Sequence, residues 1–161
     1  MPAGIALRPA REDDAEFLFR VYASTRTEEL AVVPWSVEQK EAFLRMQFRA
    51  QHVDYHHNFP DAAFLIVESN HEAIGRVYLD RRHDEFRVVD IALLPERRGR
   101  GLGAALMRNV MAEAAAEMLP VRIHVERFNP AQRLYERLGF RRIGDTGVYY
   151  LMEWNPHPAP R

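Results

Sequence analysis

The chain has 161 residues, 47% of them hydrophobic and 28% charged, with a net charge of -1. That suits one domain with a real core and argues against both a disordered chain and a general nucleic-acid binder. There is no cysteine, which excludes disulfides, thiol nucleophiles and sulfur-built zinc sites. The N-terminus carries no basic-then-apolar leader, and no apolar run nears the roughly 20 residues that span a bilayer. A cytoplasmic protein with no membrane partner is expected.

In chain order, Gly4 to Ala10 reads as a strand. Arg11 to Thr25 reads as a helix, with acids in its first turn and Phe17, Leu18, Val21 and Tyr22 at helical spacing. The segment "VVPW" breaks the chain. Ser36 and Gln39 form a capping box that opens a long helix to His57, whose stripe of Phe43, Met46, Gln47 and Ala50 is expected to face the core. Three strands follow over 62–69, 73–82 and 85–94, the first two joined by an Asn70-His71 turn, which predicts an antiparallel meander. An alanine-rich helix over 103–118 ends before Pro120, and Val121 to Arg127 is a strand. Asn129 and Pro130 start a helix that stops at Gly139. "GFRRIGD" and "GVYYLMEW" close the chain as strands. The expected organisation is a mixed α/β layer formed by residues 1–154 as a single domain, with 155–161 as a flexible tail.

The segment "DIALLPERRGRGLGAALM" (Asp90 to Met107) places a strand, three glycines in five residues and a helix start in sequence. Such a turn is an anion site: free amides converge, the helix dipole adds positive charge, and Arg97, Arg98 and Arg100 can contribute charge-assisted bonds. A P-loop needs Gly-Lys before Ser or Thr, and the only lysine is Lys40. A Rossmann turn needs a third glycine where Leu106 stands, and the chain lacks room for a second nucleotide-binding half, although Glu126 lies near the ribose-acid position.

Arg98-Gly99-Arg100-Gly101-Leu102-Gly103, within "IALLPERRGRGLG", resembles the acetyl-CoA signature of the GNAT N-acetyltransferase superfamily. "NPAQRLYERLGF" (Asn129 to Phe140) resembles that family's next motif, and a helix and a strand separate the two as in the family. The resemblance implies the GNAT fold: a mixed, mostly antiparallel sheet with a βαβ cofactor unit and helices on both faces. It implies acetyl-CoA as cosubstrate, its pyrophosphate held by the amides of Arg98, Gly99, Arg100, Gly101, Leu102 and Gly103, continuing to Ala104. It places Leu93 and Leu94 along the pantetheine arm, between strands that splay apart to admit the thioester. It assigns Asn129 to the cofactor and Tyr135 to protonation of the departing thiolate; read alone, Tyr135 is an amphipathic core tyrosine beside Leu134 and Leu138. It also puts Tyr55, His56 and Phe59 on the acceptor wall, while Trp35, after Pro34, reads as either core or wall.

Acetyl transfer to an amine needs a neutral nucleophile, a polarised carbonyl and a protonated leaving group. Without a cysteine to form an acyl-enzyme, direct attack by a primary amine in a ternary complex is expected. Asp90 and Glu85 are the candidate bases, with Glu126 a third carboxylate. A bulge common in the strand before the turn unsettles which face each takes, and Glu85 also reads as an exposed strand-end charge. His52, His56 and His57 on the long helix read as solvated histidines, so no metal is expected. The alternatives are a noncatalytic acyl-CoA-binding module and, weakest, nucleic-acid binding through "RRGRG". A homodimer would pair edges through "GVYYLMEW".

Overall fold

A computed structural model describes residues 1–157. Seven strands form one sheet: β1 (Ile5–Pro9), β2 (Ala63–Ser69), β3 (Glu72–Arg81), β4 (Phe86–Leu93), β5 (Val121–Glu126), β6 (Arg141–Asp145) and β7 (Tyr149–Trp154), in the order β1-β2-β3-β4-β5-β7-β6. Five helices pack on it: α1 (Ala15–Ser24), α2 (Thr27–Ala31), α3 (Val37–Asn58), α4 (Leu102–Ala116) and α5 (Ala131–Arg137). The strands β2, β3 and β4 are the predicted meander, and β1 pairs antiparallel with β2 at its edge. Asn70 and His71 take the left-handed conformation, φ 50° and 69°, that a tight two-residue hairpin demands. Only β4 and β5 run parallel, joined by α4 as a βαβ unit. The last four residues of the expected tail lie outside the described residues. Among the described residues, no helix is long and apolar enough to cross a membrane.

The two sheet faces have different cores. On one, Val77, Leu79, Phe86, Val88, Ile123, Val125 and Met152 meet Leu106, Met107 and Val110 of α4 and Tyr135 and Phe140 from the α5 region. On the other, Ile66 and Tyr78 meet Leu18 of α1 and Phe48 and Tyr55 of α3. The α3 capping box is present: Gln39 donates its amide to Ser36 Oγ at 3.1 Å, and Ser36 donates its own to Gln39 Oε1 at 2.9 Å.

Two expectations need correction, and one element is additional. A short helix, α2, stands before the "VVPW" break in residues to which no element was assigned, because its single turn is too brief to show a period. Met46 and Ala50 face solvent, and the packed side of α3 runs through Leu44, Phe48, Gln51 and Tyr55 instead. The strand β7 is no edge: it pairs with β5 on one side and β6 on the other, so it has no free edge to offer a second copy.

One ion pair ties β1 to the following turn. Arg8 donates two bonds of 2.8 Å to Asp14, whose carboxylate also accepts the Arg11 amide at 2.7 Å. The Arg8 bonds first, then Arg11, hold the buried Asp14 down at about 2. A carboxylate lowered on folding stabilises the protein above its unfolded pKa, near 4, and the gain fades as pH falls toward 2. Asp14→Asn is therefore expected to cost about 2 kcal/mol in urea unfolding at pH 7 and almost nothing at pH 2.

Candidate active site

The sheet opens where β4 and β5 part. They pair only at Phe86↔Val121, Arg87↔Arg122 and Val88↔Ile123. Beyond that seam, β4 from Val89 to Leu93 and β5 from His124 to Glu126 lack each other as partners, which is the predicted splay. The opening begins at a bulge: Tyr78 faces Asp90 and Leu79 faces Val88, so Val89 has no partner on β3. The extra residue flips the alternation. Val88 lies in the α4-side core, and so do Ile91 and Leu93, while Val89 packs on the α1–α3 face. That is how an acid in the middle of an apolar run avoids the core. Gly75 on β3 lets the strands press together at this end, since a Cβ there would collide with the Ala92 carbonyl oxygen.

Past Leu93 the chain makes the glycine turn. Gly99 and Gly101 have φ of 74° and 78°, and a Cβ at either would meet nothing within 4 Å, so the concave side is open. The amide of Arg98 is engaged, donating to Pro95 O at 3.2 Å. Among the described residues, the next six amides, Gly99 through Ala104, have no protein acceptor. Six consecutive open donors at the start of a 15-residue helix fit a pyrophosphate. The arginines divide: Arg97 pairs with Glu72 at 3.0 Å, and Arg98 donates to Leu93 O at 3.0 Å and Ser24 Oγ at 3.2 Å. Among the described residues, Arg100 alone of the three has no such partner, so "RRGRG" presents no basic stripe.

Behind the turn, Gly103 brings α5 close, with Leu134 Cδ2 3.7 Å from the missing Cβ. Asn129 caps α5 by accepting the Ala131 amide at 2.9 Å. Tyr135 is 6% exposed, its ring tilted against Phe140, and burial, aided by the Asp90 charge, pushes its hydroxyl up to about 12. That hydroxyl makes no hydrogen bond among the described residues.

The two candidate bases lie apart. Asp90 sits at the bulge, accepting from Arg76 Nη2 and from Tyr55 Oη at 3.2 Å. Arg76 is itself only 2% exposed, so Asp90 is the counter-ion of a buried guanidinium. Glu85 is at the closed end of the seam and is buried, not exposed. Arg82, Arg87 and Arg122 donate to it at 3.0, 3.1 and 3.1 Å. Of the acceptor-wall residues, only Tyr55 reaches the splay. Phe59 lies under Arg82 toward the closed end, His56 stacks on Phe64, and Trp35 packs on Phe43, half exposed. The His52 and His56 rings are 4.3 Å apart, but no third ligand joins them among the described residues.

Residues 60–142 match the acetyltransferase (GNAT) domain family. The chain belongs to the GNAT acetyltransferases. Acetyl transfer from acetyl-CoA is the activity that comes with this membership. The GNAT chain is 28% identical over 155 residues to a Bacillus subtilis candidate ribosomal protein bS18-alanine N-acetyltransferase, covering 93% of this chain and 89% of that protein. Its fold matches PaiA N-acetyltransferase of Thermoplasma acidophilum, solved with coenzyme A, at a TM-score of 0.70 with 20% identity, over 94% and 98% of the two chains. It also matches Arabidopsis thaliana Naa50, solved with the bisubstrate analogue CoA-Ac-MVNAL, at 0.59 with 15% identity, over 95% and 99%.

Three residues of this GNAT site escaped the reading of the sequence. His124, the first residue of β5 past the seam, turns to the α1–α3 face, and its Nδ1 lies 3.2 Å from Arg87 Nη1. Arginine can only donate, so Nδ1 accepts and the ring carries its proton on Nε2. Burial and then Arg87 lower its pKa, keeping it neutral at pH 7. Gln132 pins the end of β5, donating to Glu126 O at 3.0 Å and Arg127 O at 2.6 Å. Arg76 is the third. The signal for both it and His124 was present: a cation inside "AIGRVYLD", and a polar alternate residue in "RIHVER".

Proposed function

We propose that residues 1–154 form one acetyltransferase domain that moves an acetyl group to a primary amine by direct attack in a ternary complex. The open run of six amides carries this reading. Gly99 to Ala104 would hold the pyrophosphate of acetyl-CoA, Leu93 and Leu94 at the end of β4 would lie along the pantetheine arm, and Asn129 would close over it. Acetyl-CoA supplies the activated acyl group; with no cysteine in the chain, an acyl-enzyme thioester has no residue to form on.

The chain's own residues then divide the proton work across the sheet. Tyr135, on the α4–α5 face, keeps a neutral hydroxyl from which the leaving sulfur takes its proton. The incoming ammonium, on the α1–α3 face, meets His124 and Glu126. We assign proton removal to Glu126 on that side, the one lone pair of His124 being engaged by Arg87, and not to Glu85, whose oxygens are taken by three guanidiniums, nor to Asp90, which balances Arg76. The curated relative named for a ribosomal-protein alanine, and the Naa50 complex with a peptide analogue, favour a polypeptide N-terminus as acceptor.

Calorimetry tests the reading. Acetyl-CoA is expected to bind with micromolar affinity and NAD not to bind. An alanine-initiated hexapeptide is then expected to release CoA in proportion to added protein. Failure to bind acetyl-CoA would remove the pyrophosphate role from the turn, and turnover of polyamines but not peptides would reassign the acceptor.

A further inference from the structure

One ion pair crosses the splay on its α1–α3 face. Arg26, in the turn between α1 and α2, donates to Glu29 at 3.0 Å, lies 5.6 Å from the Tyr22 ring centroid, and reaches Glu126 at 3.5 Å. Among the described residues, it is the one ion pair joining the helices of the first sixty residues to β5. Glu126 is three residues past the last β4–β5 pair, roughly 10 Å along the strand. It is the only carboxylate β5 presents, on the same face as His124. Its side chain keeps 47% of its exposure, and that of Arg26 keeps 27%.

From this bridge we infer that Arg26 is a resident competitor for the acceptor, occupying on Glu126 the place that the acceptor's ammonium takes. The inference rests on the proposed amine acetylation and adds how the amine is admitted. Acceptor amines arrive charged at neutral pH, since α-amino groups titrate near 8 and lysine near 10.4. A carboxylate at the mouth of the slot is their natural first contact. A long, half-exposed ion pair is weak enough to exchange. Arg26 also has somewhere to stay when displaced, because Glu29 and the Tyr22 ring hold it independently of Glu126. The other charged or titratable groups facing this mouth are His124, which is neutral, the phenols of Tyr55 and Tyr149, and Asp90, which Arg76 neutralises. Glu126 is thus the carboxylate open to an incoming cation.

The experiment is peptide binding to CoA-saturated protein by calorimetry, using an alanine-initiated hexapeptide amide and its N-acetylated form, after acetyl-CoA affinity has been measured for every variant. Arg26→Gln is expected to tighten the free-amine peptide about threefold to fivefold, and Glu126→Gln to weaken it about fivefold. The double variant should match Glu126→Gln alone, because Arg26 acts only through Glu126. Arg26→Lys should behave like wild type, and the N-acetylated peptide should ignore all four changes. Peptide affinity that is unchanged or weakened in Arg26→Gln, or undetectable even in that variant, overturns the inference. So does a double variant unlike Glu126→Gln. A wild-type protein that does not bind acetyl-CoA is a separate result and refutes the cofactor reading beneath.

Discussion

Replacing Tyr135 with phenylalanine should lower turnover about a hundredfold to a thousandfold, the usual worth of one placed general acid, with acetyl-CoA affinity and thermal midpoint unchanged. The separation of effects follows from the surroundings of the ring. Its apolar body is buried against Phe140, and the substitution keeps that packing. Its hydroxyl has no protein partner among the described residues, so deleting it leaves no orphaned donor or acceptor. Because burial holds the group up at about 12, the acid stays protonated through neutral and moderately alkaline pH. It should therefore add no alkaline limb to the rate profile below about pH 10. The sign for stability is the same. An unfolded tyrosine ionises from about pH 10 while the folded one resists to about 12, so its contribution is intact below 10 and fades between the two. A thiol reagent measures the rate cleanly, since the chain has no cysteine and free CoA is the only thiol released. Wild-type turnover in Tyr135→Phe would leave the leaving sulfur without its assigned acid.

The second large effect is on folding. Asp90→Ala should lose about 3 kcal/mol or more in denaturant unfolding, because it strands a guanidinium that is 2% exposed. Arg76 has little in reserve: its Nε is already without a partner among the described residues, and after the change only Gln51, at 3.1 Å, would remain to its Nη2. Pairing Asp90→Leu with Arg76→Met should recover most of the loss, as apolar replacements of buried ion pairs commonly do. The comparison separates two roles that the sequence left open. A residue serving only as base would lose rate and keep its unfolding midpoint. An Asp90→Ala protein that unfolds at the wild-type denaturant concentration would return Asp90 to the list of bases.

Much of the fold was legible because its signals are local. Ser36 and Gln39, Asn70-His71 and Asn129-Pro130 each carry their own geometry, and each stands where its chemistry requires. The glycine turn was legible for the same reason, since positive φ at Gly99 and Gly101 is a property of two residues. The partners of charged side chains were not. Glu85 reads as a solvated strand end until Arg122, thirty-seven residues later, is brought alongside on β5. Asp90 could not be assigned a face while the position of the bulge was unknown, because one extra residue inverts everything after it. Met46 and Ala50 misled because α3 carries apolar residues on both sides, and the tertiary contacts chose Phe48 and Tyr55.

The slot owes its existence to where pairing stops. Phe86 to Val88 against Val121 to Ile123 is the whole direct ladder between β1–β4 and β5–β7–β6, so the sheet is two plates joined along a three-residue hinge line. One plate carries the glycine turn at its rim, and the other carries His124 and Glu126. Their relative tilt sets how far the rims stand apart. A change in side-chain volume at Val88 or Ile123 would swing both rims together. With donor and acceptor placed as proposed, such a change would act on both through residues that touch neither substrate.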